Sequence, residues 1–414
     1  MIEKEELLQK RSKWTRQDKV LLTLNMLIHF GDQVEEYLPS IITQQISCDL
    51  GLSSYQEGMV TTVFYMTLAG GIMFAVFLSH HMSLRNILLL SMYCSILVTV
   101  VCAVVANYYM LILSRVLIGF CVGLNSSVGR VYFTQNASSR DIHAVSMFLI
   151  PFVGKFGACF VAVEAWLLLD LVGWRVFSLL TSIPFFLMPI ILLHCCMSSK
   201  RDIENESYVE DEASKEIIVP NIKSRILKFS LVEFMFKFIG YGGILLLPSM
   251  IRMNNYRSSS DLTSDQCKFI IHGSQFLIIA AINGCAFFVG KPLGYWLKSK
   301  LPFKVLQCSY VTMMVLAYGF LLFYNSLLVT AICIGVSKFA FALQGVELSI
   351  TIYDPHFFGT RDLATASSIA NGSAFVGAAV GTAIVSFSDL PIPVIIKVIL
   401  GIVEICVLCL ISEK

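Results

Sequence analysis

A helix needs roughly 20 mainly apolar residues to cross the hydrocarbon core of a bilayer, and every backbone polar group inside that core must find its partner within the helix. This chain offers such stretches at about 20–43, 58–79, 86–106, 108–134, 142–168, 174–196, 226–250, 269–297, 304–324, 326–353, 362–387 and 391–412. Composition agrees, with 56% hydrophobic and only 14% charged residues among 414, where a soluble domain carries about a quarter charged. An all-α membrane protein of twelve transmembrane helices is expected.

The polar insertion "SSKRDIENESYVEDEASKE" at 198–216 falls between spans six and seven. It divides the chain into an N-terminal segment (1–19), a six-helix bundle (20–197), a linker (198–225) and a second six-helix bundle (226–412). A repeat supports that division. "SSRDIHAVS" (138–146) after span four is echoed by "GTRDLATAS" (359–367) after span ten, and Arg115 in span four has Lys338 at nearly the same offset.

Lys and Arg gather in the N-terminus (Lys4, Lys10, Arg11, Lys13, Arg16, Lys19), the middle loop and the loop near Lys298, Lys300 and Lys304. That bias places both termini and the linker in the cytosol, although Arg252, Arg257 and Lys268 after span seven dissent. A net charge of +2, scattered along the chain, leaves no footprint for nucleic acid. The 13 cysteines show no metal-site spacing and read mainly as small core hydrophobes. Cys48 and Cys267, both in expected outer loops, are candidates for a disulfide, and Cys195–Cys196 for palmitoylation.

Several segments resemble one known family. Six plus six spans, a cytosolic linker and a repeated Arg-bearing loop are similar to the major facilitator superfamily. Within it, "GDQVEEYLPSIITQQISCDLGLSSYQEGMVTTVF" (31–64) resembles the synaptic vesicle glycoprotein 2 and synaptic vesicle 2-related protein branch, whose Asp-x-x-Glu is matched by Asp32 and Glu35. "LSRVLIGFCVG" (113–123) and "LVGWRVFSLLTSIP" (171–184) are similar to that branch's fourth and sixth spans. The resemblance implies two pseudo-symmetric bundles and a central cavity lined mainly by spans one, four, seven and ten. It also implies loop residues that latch the halves on the cytosolic side; here Arg85, Arg140, Asp354 and Arg361 occupy such positions. Other latch positions have changed: "VFLSHHMSLRN" (76–86) keeps only Arg85 of the loop between spans two and three, and Gln135 stands where the family has an acid.

Charges inside the membrane are the candidates for chemistry. Counting about 1.5 Å per residue from the start of span one, Asp32 lies about 18 Å deep, where a lipid-facing charge costs at least about 2.5–3.5 kcal/mol. Asp32, Glu35 and Glu36 should therefore face the bundle interior, with Asp32 and Glu35 the better pair for a shared inward face and Glu36 a rim or packing residue. Acids crowded in low dielectric resist ionising together, which suits proton exchange or binding of a cationic group. Arg115 is read as their partner. In the remaining cavity spans Glu233, Lys237, Tyr241, Lys338 and Glu347 are expected to line the passage, Glu233 and Lys237 also reading as a structural pair one turn apart. Lys155 is a deep charge in span five. Arg130, Lys291, Lys397 and Glu164 are expected to snorkel from span ends. His29 reads as a packed histidine or a proton relay, and no metal site is expected.

No Gly-x-x-x-x-Gly-Lys-Ser/Thr motif appears, so any driving force would be a gradient. No nucleophile–base constellation suggests an enzyme, and no cofactor is implied. The favoured reading is a secondary active or facilitative transporter of a small organic solute, with protons a candidate coupling ion, working by alternating access as a monomer in the plasma membrane or an intracellular vesicle. Five acids against four bases in the cavity spans tilt the solute only slightly towards a cation and leave its sign open. The alternative is a transporter-fold protein that does not transport and serves as a receptor or vesicle-trafficking component.

Overall fold

The computed structural model of the chain describes residues 15–137, 140–195, 221–258, 275–323, 327–351, 358, 363–387 and 392–410. They form α1 (Arg16–Leu50), α2 (Ser54–Ser79), α3 (Leu84–Ala103), α4 (Tyr108–Asn136), α5 (Arg140–Glu164), α6 (Asp170–Cys195), α7 (Ile222–Ser258), α8 (Gln275–Lys298), α9 (Phe303–Leu321), α10 (Leu327–Thr351), α11 (Leu363–Phe387) and α12 (Ile392–Leu410). Each coincides with an expected span to within several residues. The helices extend furthest past the apolar stretch at α1 and α7, because polar residues continue a helix wherever water or a cap satisfies its ends. The start of α7 at Ile222 lies inside the segment expected as linker; the rest of that insertion lies outside the described residues.

Local chemistry sets the boundaries. Thr15 and Asp18 form a reciprocal cap on α1, the Asp18 amide donating to Thr15 Oγ1 at 3.1 Å and the Thr15 amide to Asp18 Oδ2 at 3.0 Å. Gly51 ends the helix in the left-handed region at φ 63°. Ser53 and Gln56 repeat the device at α2. Between α5 and α6 the chain widens into a single π turn, Ala165–Leu169, and breaks at Gly173, whose φ of 74° and ψ of 163° suit a residue without Cβ.

Packing follows an internal two-fold pattern. In the first half α1 packs on α4, α5 and α6, while α2 and α3 pack on α4, and α3 on α6; adding six to each number gives the contacts of the second half. The lobes meet through α2 against α11 and α5 against α8, a pair of interfaces that the same operation interchanges. At the face where α1 ends, Asp49 ties the first lobe together, accepting from Trp174 Nε1 at 3.2 Å and Arg175 Nη1 at 2.5 Å, while Arg175 Nη2 donates to the Val105 carbonyl at 3.2 Å. Apolar side chains such as Leu97, Leu113, Val289 and Leu316 stand exposed around the outside, where lipid tails are their natural solvent.

Nine described stretches are long and apolar enough to cross a membrane by length and composition, the one at Leu149–Cys195 taking in α5 and α6. Neither α1 nor α7 is among them. These two symmetry-related helices hold buried charge near their middles, Asp32, Glu35 and Glu36 in one and Glu233 in the other. They can do so because their polar faces are covered by protein.

Candidate functional site

A cleft of about 830 Å³, part of it open to solvent, lies between the lobes. It draws lining residues from α1, α4, α5, α7, α8, α10 and α11, and it lies towards the end of the bundle where α1 begins. α1 contributes His29, Asp32, Gln33 and Glu36. Helical geometry explains that set: at about 100° per residue the four fall within an arc of about 100°, and Glu35 lies about 60° beyond its edge at Asp32.

Asp32 and Glu35 therefore part company. Asp32 lines the cleft with His29 Nδ1 3.8 Å from its Oδ2, near Arg130 and Glu36, and no hydrogen bond closes on either carboxyl oxygen. Glu35 lies off the cleft, towards the Arg115 guanidinium and the Ser182 hydroxyl of the first lobe. It reaches neither within ordinary hydrogen-bond length. Arg115, 1% exposed, sits between α3 and α4 with Nη2 3.9 Å from Cys102 Sγ. The expected pairing of Arg115 with an α1 acid thus falls on Glu35, away from the cleft.

The expected rim residue, Glu36, is central. Tyr241 on α7 donates to Glu36 Oε2 at 2.6 Å, a hydrogen bond that joins the two lobes across the midline. Lys155 and Lys237 each donate to the Tyr241 oxygen at 3.2 Å, Lys155 also reaches Gln33 Oε1, and Tyr65 donates to the Glu36 carbonyl at 3.0 Å. Rings close the network: Lys237 Nζ lies 4.3 Å from the Tyr241 centroid and 4.2 Å from that of Phe375, and Tyr65 meets Tyr241 edge-on at 5.4 Å. Together Tyr65, Tyr241 and Glu36 form a layer at the deep end of the cleft.

Glu233 and Lys237 both line the cleft. Lys338 does not; it donates to the Gly240 carbonyl at 3.0 Å and so braces α10 against α7. α10 places Glu347 in its last turns, but its side chain is outside the described residues. Of the loop positions, Arg85 donates through Nη2 to the Leu193 carbonyl at 2.8 Å, a bond inside its own lobe at the end of α6. Arg140 opens α5 with a side chain outside the described residues, and Asp354 and Arg361 lie outside them altogether. Cys48 is disulfide-bonded; Cys267 lies outside the described residues.

Three expected snorkelers do otherwise. Arg130 lines the cleft and its Nε approaches His29 Nε2 at 3.3 Å. Lys291, 5% exposed, lines the cleft from α8, and Lys397, 1% exposed, is sealed inside the second lobe over the Tyr318 ring at 4.6 Å. A helical position several residues from its end holds its ammonium about 10 Å from the interface, beyond the reach of a lysine stem that points inward. Glu404 on α12, fully buried and accepting from Gln344 Nε2, was not singled out from sequence at all. Its spacing of seven from Lys397 was the available signal, since it puts both on one helical face. Among the described residues no group of His, Cys, Asp or Glu could hold a metal ion.

Comparison with known proteins agrees with this architecture. A Caenorhabditis elegans protein named "Putative transporter svop-1" is 26% identical over 164 residues, 40% of this chain and 31% of that relative. The chain therefore matches less than a third of the relative's length. The model of the Major Facilitator Superfamily matches residues 21–382, from α1 through most of α11. The chain belongs to the Major Facilitator Superfamily.

Proposed function

We propose that the protein is a secondary active or facilitative transporter of a small organic solute, with the inter-lobe cleft as its binding site. One observation carries the reading: a charged cleft, buried at bilayer depth, lies on the pseudo-two-fold between lobes that touch mainly through α2–α11 and α5–α8. Buried charge in a membrane is costly and is kept where water, a solute or a proton must pass. In the state described, the Tyr65–Tyr241–Glu36 layer closes the far side. If the basic N-terminus lies in the cytosol, the cleft faces inward. Asp32, with its two oxygens free of hydrogen bonds, is the group best placed for proton coupling. Glu35, facing Arg115, serves the first lobe instead.

Reconstitution into liposomes with an imposed pH gradient tests this. Uptake of solute by the wild type should respond to the gradient, Asp32→Asn should uncouple it, and Glu35→Gln should impair stability more than coupling. Gradient-driven uptake that survives unchanged in Asp32→Asn removes the coupling role. A receptor or trafficking role without transport draws support from Arg85, which is bonded within its own lobe where a latch would cross to the other; absence of any uptake, with solute still bound, favours it.

A further inference from the structure

The cleft's charges do not cancel in pairs. Among its described lining residues, Asp32, Glu36 and Glu233 stand with Arg130, Lys155, Lys237 and Lys291. Each acid has cationic company: Glu36 accepts from Tyr241 and lies beside Lys155 and Lys237, Asp32 sits by His29 and Arg130, and Glu233 by Lys237 and Arg130. Lys291 has none. The residue is 5% exposed, its ammonium makes no hydrogen bond or ion pair among the described residues, and it has Lys237, Arg130 and Lys155 as charged neighbours. Gly345 lies close to it, since an added Cβ there would be 3.7 Å from Nζ and 3.0 Å from Phe236 Cζ. A cation buried among cations without a counter-charge is unfavourable unless something brings that charge with it.

The wall around it is aromatic. Phe287, one helical turn before Lys291, has Lys155 Nζ 5.5 Å from its centroid, and Phe236 stacks on Phe341 at 4.2 Å and 12°. Phe375 completes this side. Flat rings beside an unmatched ammonium suit a ligand with an apolar or aromatic body and one anionic head.

We infer that the cleft binds an organic anion, its carboxylate or sulfonate docking on Lys291 with Arg130 and Lys237 near and its body lying against Phe236, Phe287 and Phe341. The inference rests on the transport reading for its biological meaning but not for the binding itself. It also reverses the slight cationic tilt obtained by counting charges in four spans, because Lys155 and Lys291 come from α5 and α8.

Two permanently charged probes of similar size, benzenesulfonate and trimethylphenylammonium, separate the possibilities when their binding to the purified full-length protein in detergent and their uptake into proteoliposomes are both measured. Benzenesulfonate should bind, Lys291→Gln should weaken it by about tenfold or more, as loss of one charge-assisted contact implies, and Lys291→Arg should restore most of it. The arginine variant and the elution profile of each protein guard against a merely misfolded Lys291→Gln. Binding without uptake leaves the anion site standing and sinks the transport reading. Uptake of trimethylphenylammonium in place of benzenesulfonate sinks the anion site and leaves transport standing. Benzenesulfonate binding that Lys291→Gln leaves intact, or that chloride at equal concentration abolishes, also overturns the inference.

Discussion

At the scale of single residues, the molecule separates two acids that sequence spacing had joined. Asp32 belongs to the cleft, and Glu35 faces the buried Arg115 guanidinium inside the first lobe without bonding to it. A buried charge that loses its counter-charge typically costs about 3–5 kcal/mol, whereas removing both partners costs far less. Arg115→Met should therefore lower the thermal unfolding midpoint in detergent sharply, and Arg115→Met with Glu35→Gln should recover most of the loss. Equal and additive effects in that double-mutant cycle would show that the two groups do not interact. Tyr241→Phe makes a second case. It removes the donor to Glu36 and the acceptor for two lysines while keeping the ring. Loss of a hydrogen bond to a charged group is worth about 1.5–3 kcal/mol, so stability should fall by that order while the protein remains folded. The three acids of α1 were legible as inward-facing because charge cannot face lipid. Which of them meets the cleft was not, since a turn of 60° or 100° decides it and only the neighbouring helices fix the helix's rotation. Lys291 escaped for the same reason: distance from a helix end says nothing about the direction a stem takes.

At the scale of elements, helices approach through glycine. On α2 and α4, a Cβ at Gly71 would lie 2.2 Å from the Phe120 carbonyl oxygen, and one at Gly123 would lie 2.2 Å from that of Leu68. The second lobe repeats the device where a Cβ at Gly377 of α11 would lie 2.1 Å from the Phe234 carbonyl oxygen of α7. Backbone cannot yield as a flexible side chain can. Gly123→Ala and Gly377→Ala should each destabilise by about 1–3 kcal/mol, while Gly70→Ala and Gly335→Ala, with open space at both positions, should leave the unfolding midpoint unchanged or slightly raised. In the sequence Gly123 and Gly377 stand four residues from Gly119 and Gly381, the spacing of a small-residue helix face. Their partners were not legible there, because that spacing marks a face and says nothing of what packs on it.

At the scale of the whole molecule, the two lobes show their common plan in every major contact among the described helices, and apolar stretches interrupted by charge in α1 and α7 marked those helices in the sequence. The lobe-to-lobe seams differ in detail. Along α2–α11, Tyr55 stacks on Phe387 at 4.8 Å, and a Cβ at Gly58 would lie 2.3 Å from that of Ser386, at the face where α1 ends. A carrier that rocks its lobes must part these contacts to open that face. Joining Tyr55→Cys to Phe387→Cys with a short thiol crosslinker, in a background without the other reactive thiols, should arrest uptake completely while leaving binding from the cleft side intact. Continued uptake by fully crosslinked protein would mean that this seam does not open.

The bonded sulfur at Cys48 carries a consequence for geography. Reducing compartments dissolve such links, so a bond that persists in the cell would put the tip of the first helix in a lumen or at the cell exterior. A reductant unable to cross membranes, added to intact cells or to vesicles of known sidedness, should reach that sulfur from one direction alone; labelling from the opposite direction would turn the molecule over in its bilayer.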